Sequence, residues 1–419
     1  MTDTRLRVVL IAPTADGNDV GEAWSCFRWV AGLAERHDVT VLSYHKRDRT
    51  PLARQLPHVR IVEWSDLPLV GRFERFNSMA KPGQLAFRAR ARHWLRQAIA
   101  AGERFDLIHQ LAPLALRYPT PALGLGIPWV MGPVGGSLDT PPGMRNGGGA
   151  GGGKPPWFVG LRRLDRLRMR LPGALRASYE GAALVLAVAP YVREVLAGLR
   201  VRRIEYESET GIPDLPPPRS RVTARPGRLR LLYVGRLIRT KGLFFGLGAL
   251  ARLRDLPGVT LDVAGDGEDR AACEALVRDV GLLDRVHFHG KVPRERVEEL
   301  YREADAFLFP SYREPSGNVV FESMRHGLPV IAARAGGPGH VVDERCGRLV
   351  EPTDPTGLVT GLEAAMRELA ADPALVARLG ASARTRVATL ALWPAKIARV
   401  EALWHQVLDG WRRDSRRIA

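Results

Sequence analysis

A chain of 419 residues with 45% hydrophobic and 26% charged residues is too long for one ordinary core and too apolar for disorder, so two globular domains of roughly 200 residues are expected. No apolar run approaches the ~20 residues of a membrane span. The start MTDTRLRVVLIAPT lacks the length and cleavage site of a secretion signal. The net charge of +17 raises an anionic partner, but zinc-finger spacing, RNP-like aromatic strands and basic zipper regions are all missing, so nucleic acid is not expected to be that partner.

In chain order, RVVLIA (7–12) predicts a buried first strand. It is followed by a helix over 22–36, with Phe27, Val30, Ala31 and Ala34 on one face. Further strands are predicted at DVTVLS (38–43), VRIVEW (59–64), DLIH (106–109), PWVMG (128–132) and ALVLAV (183–188), with a long helix over 84–101. Continuous apolar strands alternating with helices predict a parallel sheet covered on both faces. GIPDLPPPRSRVTARPG (211–227) is rich in Pro and polar residues and reads as a linker. The pattern then restarts at RLLYVG (230–235) and continues through TLDVAG (260–265), VHFHG (286–290), AFLF (306–309) and PVIAA (329–333), with helices between. Tail helices are predicted over 356–371, 373–388 and 395–411. Two doubly wound domains in tandem place a ligand cleft between the carboxyl edges of their sheets. The three cysteines, Cys26, Cys273 and Cys346, are far apart and odd in number, and read as free thiols of a reducing cytosol.

Three loops of the second domain carry candidate chemistry. In YVGRLIRTKGL (233–243) a strand ends at Gly235, and Arg236 and Lys241 follow beside a helix start. Two cations near helix amides make an anion site. In VAGDGEDR (263–270), Asp266 suits a helix cap, while Gly265 allows close backbone approach to a ligand. In YREPSGNVVFESMRHGLPVIAA (312–333), Glu314 and Glu322 stand eight positions apart across a Pro/Gly loop and a helix start. Amides around Gly317, Asn318 and Val319 can hold phosphate. Glu322 can accept from vicinal hydroxyls such as those of ribose, and Glu314 can reach sugar hydroxyls.

That last loop resembles the E-x7-E signature of the retaining glycosyltransferases of family 4. VGRL…KG, VAGDG, VHFHGKVPRERVEELYREADAFLFPSYREPSGNVVFESMRHGLPVIAARAGGPGHVVDE and CGRLVEP follow in that family's order, over nearly all of 229–352. The resemblance implies a GT-B fold, α/β, with two Rossmann-like doubly wound domains facing an interdomain cleft. It implies an N-terminal acceptor-binding domain over 1–210, joined by a crossover helix from about 393 to 419. A linker over 211–228 and a nucleotide-sugar-binding domain over 229–392 complete the scheme. It further implies Arg236 and Lys241 on the donor diphosphate, Glu322 on the ribose, and Glu314 with Gly317–Val319 on the donor sugar, with Gly235, Gly265 and Gly290 at neighbouring strand ends. The implied reaction moves a hexosyl group from a nucleotide sugar, UDP-linked in preference to GDP-mannose, to an acceptor hydroxyl with retention. It uses neither metal nor cofactor, and serves polysaccharide, glycolipid or natural-product synthesis in the cytoplasm. The acceptor is a saccharide, a lipid-linked saccharide or a small molecule. Two other classes stand beside it: a GT-B enzyme that does not transfer sugar, such as a nucleotide-sugar epimerase, and a non-catalytic saccharide-binding protein.

The first domain departs from the family pattern. Its first loop, PTADGNDVGEAWS (13–25), has Gly17 and Gly21 apart where the family has adjacent glycines, leaving Gly21 as the donor-side candidate. The family often shows His-x-His at the end of the FDLIH strand, where this chain has His109 and Leu111. His109 either takes over the sugar-side role or is a buried strand-end histidine. WVMGPVGGSLDTPPGM (129–144) resembles an acceptor-side loop, with Gly135 and Gly136 giving close approach. NGGGAGGGKPPW (146–157) matches the start of a P-loop, but Pro155 stands where Ser or Thr is needed and no apolar strand precedes it.

Residues 1–210 carry 30 basic and 19 acidic groups, against 32 and 26 in the remainder. Within them, WFVGLRRLDRLRMRLPG (157–173) spaces Leu161, Leu164, Leu167 and Leu171 by three or four, with Arg162, Arg163, Arg166 and Arg170 on other faces. Such a helix either packs on the first sheet or lies on an anionic membrane as a peripheral anchor, each basic residue contributing about 1 kcal/mol there. On the membrane reading, sedimentation with liposomes should need anionic lipid, weaken with salt, and fall when Arg162, Arg163 and Arg166 become Gln. No binding at low salt would favour a soluble acceptor.

Overall fold

Strands buried on both faces need helices above and below them, and the computed structural model supplies these in two units. It describes residues 5–45, 49–65, 83–145, 168–218 and 225–418. The first unit comprises Met1–Ser137, Pro156–Thr210 and Trp393–Ala419; the second comprises Leu138–Pro155 and Gly211–Leu392. Most of the Leu/Arg stretch at 157–173 and the glycine-rich run at 146–157 lie outside the described residues. Among the described residues, no helix is long and apolar enough to cross a membrane.

The first unit has strands β1 (Arg7–Ile11), β2 (Asp38–His45), β3 (Arg60–Ser65), β4 (Leu107–Gln110), β5 (Trp129–Val134), β6 (Leu184–Ala187) and β7 (Ile204–Tyr206). They lie in the order β3-β2-β1-β4-β5-β6-β7, paired in parallel throughout. Its helices are α1 (Glu22–Ala34), α2 (Leu52–Gln55), α3 (Gly83–Ala100), α4 (Ala174–Glu180) and α5 (Tyr191–Val195). The central strands β4, β5 and β6 are buried at every position, as strands of a doubly covered parallel sheet must be.

The second unit has β8 (Arg228–Val234), β9 (Gly258–Ala264), β10 (Val286–Gly290), β11 (Ala306–Phe309), β12 (Val330–Ala333) and β13 (Gly347–Val350), in the order β10-β9-β8-β11-β12-β13. All neighbours are again parallel. Its helices are α6 (Leu243–Arg252), α7 (Arg270–Asp279), α8 (Arg294–Glu303), α9 (Asn318–Arg325), α10 (Gly336–Val341), α11 (Pro355–Ala371) and α12 (Pro373–Ala391). α11 and α12 each open with Pro after an aspartate whose side chain accepts from a first-turn amide: Asp354 from Gly357 and Asp372 from Leu375. That is the expected chemistry of a helix start.

The last helix, α13 (Trp393–Ile418), belongs to the first unit. Trp393, Ile397, Val400, Trp404, Val407 and Leu408 join a core built from α1 and the strands β1, β2, β4, β5 and β6. Under this apolar face Lys396 is fully buried. Its ammonium donates to the Glu207 carboxylate and to Ser208 O at 2.8 Å, and stands 5.0 Å from the Trp29 ring centroid. Arg399 Nε donates to the other Glu207 oxygen at 3.0 Å. Burial pulls the Lys396 pKa down against the pull of Glu207. Removing one partner of such a pair strands a buried charge. Glu207→Gln should therefore lower unfolding free energy by about 3–5 kcal/mol in urea denaturation, and adding Lys396→Met should restore much of the loss.

Candidate functional site

In the second unit the chain winds outward from β8 through β9 to β10, then returns to wind the other way through β11, β12 and β13. The loops leaving β8 and β11 therefore diverge at the carboxyl edge, which is where ligands of open α/β sheets bind. Both loops are fixed there. Ser311 Oγ donates to Thr240 O at 3.1 Å, and the buried Tyr233 hydroxyl donates to Arg236 O at 3.0 Å. A short 3-10 turn, Arg239–Lys241, ends the first loop.

Between the two loops Lys241 and Glu314 form an ion pair, their side chains 16% and 12% exposed. Lys241 Nζ also stands 5.4 Å from the Phe309 ring centroid at the end of β11. The other Glu314 oxygen accepts from Gly317 N at 3.2 Å. The carboxylate is thus held between an ammonium and the amide that opens α9. Gly317 takes φ +82°, which an L side chain adopts at a cost, and this turns the chain into the helix. On the far side, Gly337 N donates to Glu314 O at 2.9 Å, so the start of α10 buttresses the same loop. Arg313 Nε donates to Leu138 O at 3.1 Å.

Glu322 sits one turn into α9 and has a different environment. Tyr301 on α8 donates its hydroxyl to Glu322 Oε2 at 3.3 Å. Burial raises the Glu322 pKa against Arg294, the Tyr301 bond and Arg325, while Glu298 adds to the rise. Asn318 Oδ1 is buried and makes no hydrogen bond among the described residues, which leaves an acceptor at the helix start.

Gly235, Gly265 and Gly290 form one seam across adjacent strand ends. Gly235 N donates to Ala264 O at 3.0 Å, and Gly265 N to Gly290 O at 2.8 Å. The close approach expected at Gly265 is made by the protein itself. A Cβ there would lie 1.9 Å from Gly235 O, with φ at +135°. Asp266 is not the cap of α7, whose N-cap is Asp269; it accepts from Gly267 N at 2.8 Å and pairs with Arg270. Arg236 is exposed, and Val319 lies in the first turn of α9.

The two candidates in the first unit have separate surroundings. Gly21 is the N-cap of α1 with φ +65°, and a Cβ there would meet nothing within 4 Å. His109 is fully buried, its Nε2 is 2.6 Å from Gly132 O, and its Nδ1 accepts from Trp404 Nε1 at 3.2 Å. Burial lowers its pKa to about 4. Both ring nitrogens are engaged inside the unit, where His109 links β4 to β5 and α13. Sequence spacing gives no signal for Tyr301 as a partner of Glu322. The pair Gly336–Gly337 after β12 is a readable signal for the buttress on Glu314.

The family described as "Glycosyl transferases group 1" matches residues 219–386. The glycogen synthase of Mycobacterium tuberculosis is 33% identical over 196 residues, 46% of this chain and 46% of that protein; the chain thus spans about half the length of that curated relative. Among solved structures, sucrose-phosphate synthase from Thermosynechococcus elongatus superposes with a TM-score of 0.64 at 23% identity, over 97% of this chain and 100% of that one. HepE of Anabaena, solved with UDP and glucose, gives 0.59 at 17% identity, over 95% and 99%. At these identities the likeness shows the fold, which is GT-B.

The glycine seam makes a stability prediction. Gly265→Ala forces a Cβ into a neighbouring carbonyl and should destabilise the protein by well over about 1 kcal/mol. Gly21→Ala meets only the backbone penalty. In thermal denaturation, an equal drop in Tm for the two would refute the packing role of Gly265.

Proposed function

We propose that this chain, whose residues 219–386 match the family described as "Glycosyl transferases group 1", is a glycosyltransferase that moves a hexosyl group from a nucleotide-diphosphate sugar to an acceptor hydroxyl with retention at the anomeric carbon. The observation that carries this reading is the Glu314 carboxylate fixed between Lys241 and the Gly317 amide at the switch point of the second sheet. A carboxylate so held can accept from sugar hydroxyls, while Lys241 and Arg236 supply positive charge for a departing diphosphate. In the reaction the acceptor oxygen bonds to the anomeric carbon and the acceptor proton is released. The bond to the diphosphate oxygen breaks, and its electron pair leaves with the diphosphate. Cations and helix amides placed where that charge develops lower the barrier. The amides of Gly317, Asn318 and Val319 open α9 beside this point, and Glu322 lies one turn deeper, suited to the ribose diol.

The UDP complex of HepE supports a uridine nucleotide as the donor, with GDP-mannose as the second donor to test. A saccharide, lipid-linked saccharide or small molecule is the acceptor. A panel of UDP- and GDP-sugars, with mass detection of transferred or hydrolysed sugar, tests the reading; no turnover of any donor would overturn it. An epimerase would instead convert donor without acceptor.

Lys241→Ala should reduce turnover by about 10²–10³ while the protein stays folded. Wild-type turnover in that variant would remove Lys241 from the site. The two carboxylates should separate by calorimetry. Glu322→Ala weakens binding of free nucleoside diphosphate, whereas Glu314→Ala spares it and impairs sugar transfer. Equal losses of nucleotide affinity would mean that their roles are wrongly divided.

A further inference from the structure

Beneath Glu322 lies a buried polar network. Tyr301 is 1% exposed. Its hydroxyl has a single proton and two acceptors in reach, Glu322 Oε2 at 3.3 Å and Val319 O at 3.5 Å. Its ring stacks on His326, with centroids 5.3 Å apart and planes 10° apart, and lies 5.9 Å from the Phe307 ring. His326 is fixed in turn. Its Nε2 is 2.8 Å from Glu298 Oε2, and Arg325 grips both Glu298 oxygens at 3.0 and 2.9 Å. Arg325 also pairs with Asp214 at 3.4 Å. The Tyr301 ring is thus held between His326 and Phe307, which keeps its hydroxyl within reach of Glu322. A phenol so placed keeps its proton and can donate it: burial and the neighbouring carboxylates push its own ionisation far upward.

We infer that Tyr301 is a positioning residue of the donor site: its hydroxyl orients the Glu322 carboxylate and keeps it in the anionic form that accepts from the nucleotide diol. This rests on the donor-site reading above. The physical need is plain. Glu322 is drawn out of water, which favours its neutral form, and Glu298 nearby adds to that. Arg294 and Arg325 act on it as charges, while Tyr301 supplies the directed bond. A neutral carboxyl group would offer the diol a competing donor and lose the charge-assisted bonds.

The test is the pH dependence of UDP binding by the full-length chain, measured by calorimetry between about pH 4.5 and 8. In the wild type, affinity should fall on the acid side with a midpoint above the ~4.3 of a free glutamate. Glu322→Gln should remove that limb. Tyr301→Phe keeps the stacked ring but loses the donor. It should bind UDP roughly tenfold more weakly at neutral pH and move the acid midpoint upward, because a bond favouring the charged form is gone. In Tyr301→Phe/Glu322→Gln, the affinity should equal that of Glu322→Gln alone. 3-Fluorotyrosine placed at 301, a stronger donor of nearly the same size, should move the midpoint downward, and it carries the test even where the Phe variant fails to fold. An unmoved midpoint in either Tyr301 variant, or a further loss in the double variant, overturns the inference while Glu322 keeps its role. A wild-type chain that binds no nucleoside diphosphate overturns the donor-site reading itself.

Discussion

The second unit depends on where its sheet changes direction. The chain leaves β8 one way and comes back to β11 to leave the other way, and the two loops at that seam are tied by Ser311 Oγ on Thr240 O. Polar groups from both meet there. Lys241 and Glu314, 73 residues apart in sequence, do so. Both side chains are largely enclosed, 16% and 12% exposed. Pairing them across the seam fixes the loops and leaves a cation, a carboxylate and a helix N-terminus at one place.

The two glutamates of that loop and helix show how environment divides like groups. Glu314 is an ion-pair partner with an amide on its second oxygen. Glu322, on α9 against α8, meets a phenol in place of an ammonium, and burial raises its pKa. The same amino acid thus meets two environments, one ion-paired and amide-bound, the other enclosed against a phenol.

In the first unit the corresponding constraint is the closing helix. α13 brings Trp393, Trp404 and the buried Lys396 against α1 and the strand ends. Trp404 reaches His109, and Lys396 reaches Glu207. These contacts explain why a histidine at a strand end, a residue type suited to proton transfer, is held neutral and enclosed here.

Much of this was legible in the residues. The alternation of apolar strands and helices determined two parallel α/β layers, because period and burial on both faces leave few other arrangements. The spacing of Glu314 and Glu322, with Gly317 and Asn318 between, determined that one loop and one helix start would carry polar chemistry. Local rules read such features well, since loop, cap and first turn are adjacent in sequence. What the residues alone left open was which groups meet across distance. Only the folded chain decided that Glu314 takes Lys241 as its partner, that Gly265 is small to admit Gly235, that Tyr301 faces Glu322, and that His109 is sealed by Trp404. Each of these pairs joins separate elements, so packing and desolvation set the outcome, and neither is written in a local spacing.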